Sequence, residues 1–93
     1  MANRIARKFL IGGDVQGVGY RYFARRAAAQ HQVVGYAKNL RDGRVEVVAE
    51  GRHENVESFK HDLAVGPRSG SVDRVEEHEL EPTEEYSSFT IEF

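Results

Sequence analysis

The chain has 93 residues, 40% of them hydrophobic and 30% charged, with a formal net charge of −2. That length supplies one domain around a single sandwiched core and excludes a TIM barrel or a full dinucleotide-binding fold. The absence of cysteine removes disulfides, thiolate catalysis and Cys-ligated zinc or iron–sulfur sites, and no apolar run is long enough to span a membrane or form a signal peptide. The expectation is a cytoplasmic protein. Charge is divided along the chain, with +7 over residues 1–44 and −9 over residues 45–93. The basic half suggests an anionic ligand, unless charges from the two halves intermingle on folding.

In the first strand, Phe9, Ile11 and Gly13 share one parity and Lys8, Leu10 and Gly12 the other. Both faces are largely apolar, which predicts an internal position in a sheet. Residues 21–31, RYFARRAAAQH, predict a helix whose apolar face is Phe23, Ala24, Ala27 and Ala28, small enough to lie close to that sheet. A second strand follows over 33–40, and Asp42-Gly43 is a strong hairpin signal. The third strand, RVEVVAE, puts Val45, Val47 and Ala49 on one face.

Val56, Phe59 and Leu63 predict a second helix over 54–64, stopped by Gly66-Pro67 with Gly66 as a left-handed cap. Residues 71–80 form a fourth strand in which Val72 and Val75 break strict alternation, implying a bulge. Its acids Glu76, Glu77 and Glu79, with Glu81 beyond, read as a solvated edge that blocks strand-to-strand aggregation. Residues 82–88 read as a mobile polar connection, and Phe89, Ile91 and Phe93 share one face of a strand running to the last residue. The fold class is α+β over a single domain, 1–93. It is a ferredoxin-like βαββαβ sandwich, an antiparallel sheet with two helices on one face and a short extra C-terminal strand.

Chemistry concentrates between the first strand and the first helix, in Gly12-Gly13-Asp14-Val15-Gln16-Gly17-Val18-Gly19-Tyr20-Arg21. The glycines permit left-handed angles and close backbone approach. No Ser, Thr, Asp or Asn stands at 17–20 to cap the helix, so its first N–H groups stay open to an anion. Arg21 stands at the end where a cation opposes the helix dipole, a conflict that a bound anion would offset. By pattern alone the segment also fits an ordinary glycine-rich turn with a solvated arginine. It is not a Walker loop, because no Gly-Lys-Ser/Thr follows. The histidines, at 31, 53, 61 and 78, lack the paired spacing of a metal site.

Gly13-Asp14-Val15-Gln16-Gly17-Val18-Gly19-Tyr20-Arg21 closely resembles the signature loop of acylphosphatases. The second signature of that family is matched by Gly35-Tyr36-Ala37-Lys38-Asn39-Leu40-Arg41-Asp42-Gly43, and the resemblance extends over nearly the whole chain. It implies hydrolysis of the carboxyl–phosphate bond of a small-molecule acyl phosphate, without metal or organic cofactor. It also implies that Arg21 binds the phosphate, that the amides of Val15, Gln16, Gly17, Val18, Gly19 and Tyr20 complete the cradle, and that Asn39 positions the attacking water. Tyr20 stands where Phe is more usual. Asp14 places an acid at a variable loop position and would weaken anion affinity if it pointed inward.

A ferredoxin-like sheet can bind single-stranded RNA through exposed aromatics on its central strands, but the third strand has none and carries two acids. No nucleic-acid or membrane partner is expected, and the protein reads as a free-standing monomer. The alternative is a non-catalytic module of the same topology that binds phosphate or a small regulatory ligand.

Overall fold

The computed structural model describes residues 3–93. Seven elements follow in chain order: β1 (Arg4–Asp14), α1 (Tyr20–His31), β2 (Val34–Asn39), β3 (Val45–Arg52), α2 (His53–Val65), β4 (Ser71–Leu80) and β5 (Phe89–Glu92). The sheet order is β4-β1-β3-β2-β5. The first four strands pair antiparallel, as the ferredoxin-like pattern requires, but β5 joins β2 in parallel. The sheet is therefore mixed rather than wholly antiparallel. β4 and β5 lie on opposite edges, so residues 81–88 must cross the sheet and enter β5 at the end where β2 begins. Four strand spacings span about 19 Å, and eight extended residues reach about 26 Å, so the crossing is within range.

The core lies between one sheet face and the two helices. Phe9, Ile11, Val45, Val47 and Ala49 from the sheet meet Ala24, Ala27 and Ala28 of α1 and Val56, Phe59 and Leu63 of α2. The alanine face lets α1 lie close, as its sequence predicts. Tyr20 adds to it from the first turn, with its hydroxyl donating to the Leu63 carbonyl at 2.7 Å. Burial pushes the Tyr20 phenol up, well out of the physiological range.

The bulge is present. Gly12 pairs with Arg74 and Gly13 with Val72, leaving Asp73 as the extra residue on β4. Val72 and Val75 can then both pack against the core. The β2–β3 hairpin differs from a two-residue turn: the Gly43 amide donates to the Leu40 carbonyl and the Leu40 amide to the Arg44 carbonyl. Three residues form the loop, with Gly43 at φ 98° in the bulge position that such hairpins reserve for glycine. Gly66 stops α2 but is not left-handed α, since its φ of 76° is joined to a ψ of 175°. That region is nearly exclusive to glycine.

The connection 82–88 is pinned, not mobile. Glu50 on β3 is 1% exposed, and its carboxylate accepts from the amides of Thr83 at 3.1 Å and Glu84 at 2.7 Å, and from Arg4 Nε at 3.1 Å. Tyr86 follows, its ring 6.3 Å from that of Tyr36 on β2. β5 ends at Glu92, one residue short of the expected span, and Phe93 is exposed beyond the core.

Candidate active site

The glycine loop lies between β1 and α1. Gly17 and Gly19 take φ of 77° and 78°, with nothing within 4 Å of where a Cβ would stand, so their backbone faces open space. Gly19 is the N-cap of α1 and no side chain caps that end. The first i→i+4 bond runs from the Phe23 amide to the Gly19 carbonyl at 3.0 Å, leaving the amides ahead of it without that partner. The loop is braced from behind by the segment after α2. Ser69 Oγ donates to the Val18 carbonyl at 2.7 Å, and a Cβ on Gly70 would fall 2.5 Å from the Asp14 carbonyl.

A pocket of about 110 Å³ opens on this loop, lined by Val15, Gly17, Gly19, Tyr20, Arg21, Tyr22 and Asn39. It joins the two sequence motifs: the loop and helix end on one side, the end of β2 on the other. Asn39 pairs with Val45 on β3, and its carboxamide makes no hydrogen bond among the described residues. Arg21 Nη1 donates to the Glu92 carbonyl at 2.6 Å, and the guanidinium carbon lies 4.7 Å from the centre of the Phe93 ring. No carboxylate lies within ion-pair distance of Arg21 among the described residues, so its positive charge is held in place without being neutralised.

Of the sequence-predicted site residues, Gln16 and Val18 do not line the pocket. Val18 packs against the core, and the Gln16 side chain turns to the β2–β3 hairpin, where Nε2 donates to the carbonyls of Leu40 and Arg44 at 2.7 and 2.9 Å. The side chains of Val15 and Tyr20 are buried at 1% exposure, so whatever these residues offer the pocket comes from the backbone. Asp14 is exposed and lies outside the pocket lining, which removes it as an inward-pointing acid. Tyr22 lines the pocket and was not singled out by the sequence, although it adjoins Arg21. Its ring carries the Arg25 guanidinium carbon 5.4 Å from its centre. Among the described residues no cluster of His, Asp or Glu is arranged to hold a metal ion.

A family profile described as Acylphosphatase matches residues 7–91. The chain is 41% identical over 88 residues to an acylphosphatase of Mannheimia succiniciproducens, covering 95% of this chain and 98% of the relative. With an acylphosphatase of Thermus thermophilus the identity is 57% over 67 residues, covering 72% and 76%. The crystal structure of acylphosphatase from Bacillus subtilis matches at a TM-score of 0.91 and 32% identity, covering 96% of this chain and 99% of that one. The fold also matches 12% of the full-length HypF chain at a TM-score of 0.86 and 26% identity. Likeness that runs through the loop, the first helix and the hairpin, in sequence and in backbone alike, makes the chain a member of the acylphosphatase family.

Proposed function

We propose that the chain hydrolyses the carboxyl–phosphate bond of acyl phosphates, with the phosphate held by Arg21 and the amides of residues 15–20 and the attacking water oriented by Asn39. The observation that carries this reading is the pocket where an uncompensated guanidinium, an uncapped helix end and an unpaired carboxamide converge. Phosphoryl transfer asks the protein for positioning and charge stabilisation more than for covalent chemistry. Backbone amides and a planar guanidinium meet three phosphoryl oxygens with directed donors, which a lysine ammonium cannot reproduce.

Asn39 has no proton to exchange near neutral pH, so it orients water without acting as a base. The water oxygen bonds to phosphorus as the bond from phosphorus to the carboxyl oxygen breaks. A non-bridging phosphoryl oxygen takes the water's proton. The leaving carboxylate is a weak base and departs without protonation, so the scheme needs no cofactor. The protein acts as a cytoplasmic monomer on small-molecule acyl phosphates.

Benzoyl phosphate hydrolysis at neutral pH with excess EDTA, beside Arg21→Ala, tests the scheme. Turnover by the wild type that is lost in the variant supports it. A folded wild type without turnover leaves a phosphate-binding regulatory module instead.

A further inference from the structure

The Gln16 carboxamide is the direct hydrogen-bonded link between the glycine loop and the hairpin that follows Asn39 among the described residues. Both of its acceptors are carbonyl oxygens, so only the NH₂ group can face them, and both of its hydrogens are committed. Each acceptor also takes a backbone amide. The Leu40 carbonyl receives the Gly43 amide at 3.2 Å, and the Arg44 carbonyl receives the Leu40 amide at 2.8 Å. The neck of the hairpin is thus closed by four donated hydrogen bonds, two of them from a side chain 24 and 28 residues earlier in the chain.

The placement of those two carbonyls matters. Leu40 immediately follows Asn39, and Arg44 immediately precedes Val45, the cross-strand partner of Asn39. Asn39 has no side-chain hydrogen bond of its own among the described residues, so its position relative to the loop comes from its backbone. We infer that the Gln16 side chain is a positioning residue that sets the distance between the phosphate cradle and the water-orienting Asn39, an inference that rests on the roles proposed above for Arg21 and Asn39. Its backbone remains part of the loop, so a side-chain change leaves the cradle's amides in place.

Two substitutions separate this role from a general structural one. Gln16→Met keeps the reach of the side chain and removes both donors. With benzoyl phosphate it is expected to lower kcat by about 10–100-fold, the scale of a misplacement near 1 Å, while competitive inhibition by inorganic phosphate stays within about twofold of wild type. In Gln16→Glu the ionised carboxylate repels both carbonyls, whereas the protonated acid supplies one O–H donor. The ratio of its kcat to that of wild type is expected to rise as pH falls through the carboxyl range. Unchanged kcat in Gln16→Met overturns the inference, as does a phosphate inhibition constant that weakens in parallel with kcat, or a flat ratio for Gln16→Glu. Failure of the proposed function shows elsewhere, as a wild type with no turnover. The link is then judged by hydrogen exchange of the Leu40 amide: unchanged exchange in Gln16→Met overturns it, and faster exchange upholds it.

Discussion

Arg21 is held by a carbonyl oxygen and an aromatic ring, partners that fix its direction and leave its charge for an anion. Hydrogen bonds to a charged group are worth about 1.5–3 kcal/mol each, so Arg21→Ala should weaken phosphate inhibition and kcat/KM together, by about tenfold or more. Steady-state kinetics with phosphate as competitor checks both. Asn39→Ala should behave differently, with kcat falling by about 100-fold and phosphate inhibition largely kept, because orientation of water matters only for the reaction. Full turnover with lost phosphate binding would reverse these roles. That Arg21 and Asn39 would meet at one pocket was legible in the sequence, because each stands at a fixed place in a motif. The side-chain contacts of Gln16 were not, since nothing local says that a loop amide will meet carbonyls 24 and 28 residues away. Tyr22 was hidden for a simpler reason: helical projection from chain position alone does not show which first-turn residue overlooks a pocket.

Strands and helices were largely readable because periodicity is local, and the bulge at Asp73 followed from two valines that alternation could not reconcile. The hairpin, the Gly66 angles and the crossing segment 81–88 were less so, because each depends on what the backbone meets in space. Gly35 shows how strict that can be. It lies within β2 at φ 140°, and an added Cβ would fall 1.9 Å from the Val48 carbonyl. Gly35→Ala should therefore lower Tm markedly, with at least about 1–3 kcal/mol of backbone strain before the clash is counted, and should displace the strand that carries Asn39. Thermal melting beside activity at low temperature measures both effects.

Glu50 is the counterpart on the open sheet face. Alternation sets it on the face opposite Val45, Val47 and Ala49, where the crossing segment and Arg4 bond to its carboxylate. Burial resists its ionisation, but the Thr83 and Glu84 amides and the Arg4 guanidinium outweigh that and hold the carboxyl below the usual glutamate range. The unfolded chain then binds this proton more tightly than the folded one. The stabilisation is complete above the ordinary glutamate value and is lost as pH falls through the depressed folded value. Melting curves across the acid range should show wild-type Tm falling more steeply with pH than that of Glu50→Gln, which should start lower at neutral pH by the equivalent of about 1–3 kcal/mol.

At the level of the whole molecule, the charge division is partly cancelled and partly preserved. β1 lies beside β4, where Arg7 meets Glu77 at 3.3 Å, and Lys60 of α2 reaches Glu77 at 2.6 Å. Arg21, Arg25, Lys38 and Arg41, near the pocket or in the chain next to Asn39, have no carboxylate within ion-pair distance among the described residues. The basic half therefore loses charge where it meets the acidic strand, while Arg21 keeps its charge at the pocket. For a doubly charged acyl phosphate, kcat/KM should fall as ionic strength rises from low to physiological, with kcat nearly constant. A kcat/KM insensitive to salt would mean that the unpaired cations do not act on the approaching substrate. Neither outcome was readable from the net charge of −2, which averages over both regions.

The Arg21 guanidinium and the Glu92 carbonyl that anchors it are 71 residues apart in sequence. β5 is the shortest strand and hydrogen-bonds to β2 alone. A chain whose core had collapsed around β1, β3 and the helices could hold the glycine loop and the hairpin and still have Arg21 swinging loose. Closing a loop of that length is slow compared with forming local turns. With Arg21 in the proposed role, hydrolysis on refolding should recover only as β5 docks and Phe89 completes the core beside Phe59, which a lag behind the far-UV signal of the other elements would show.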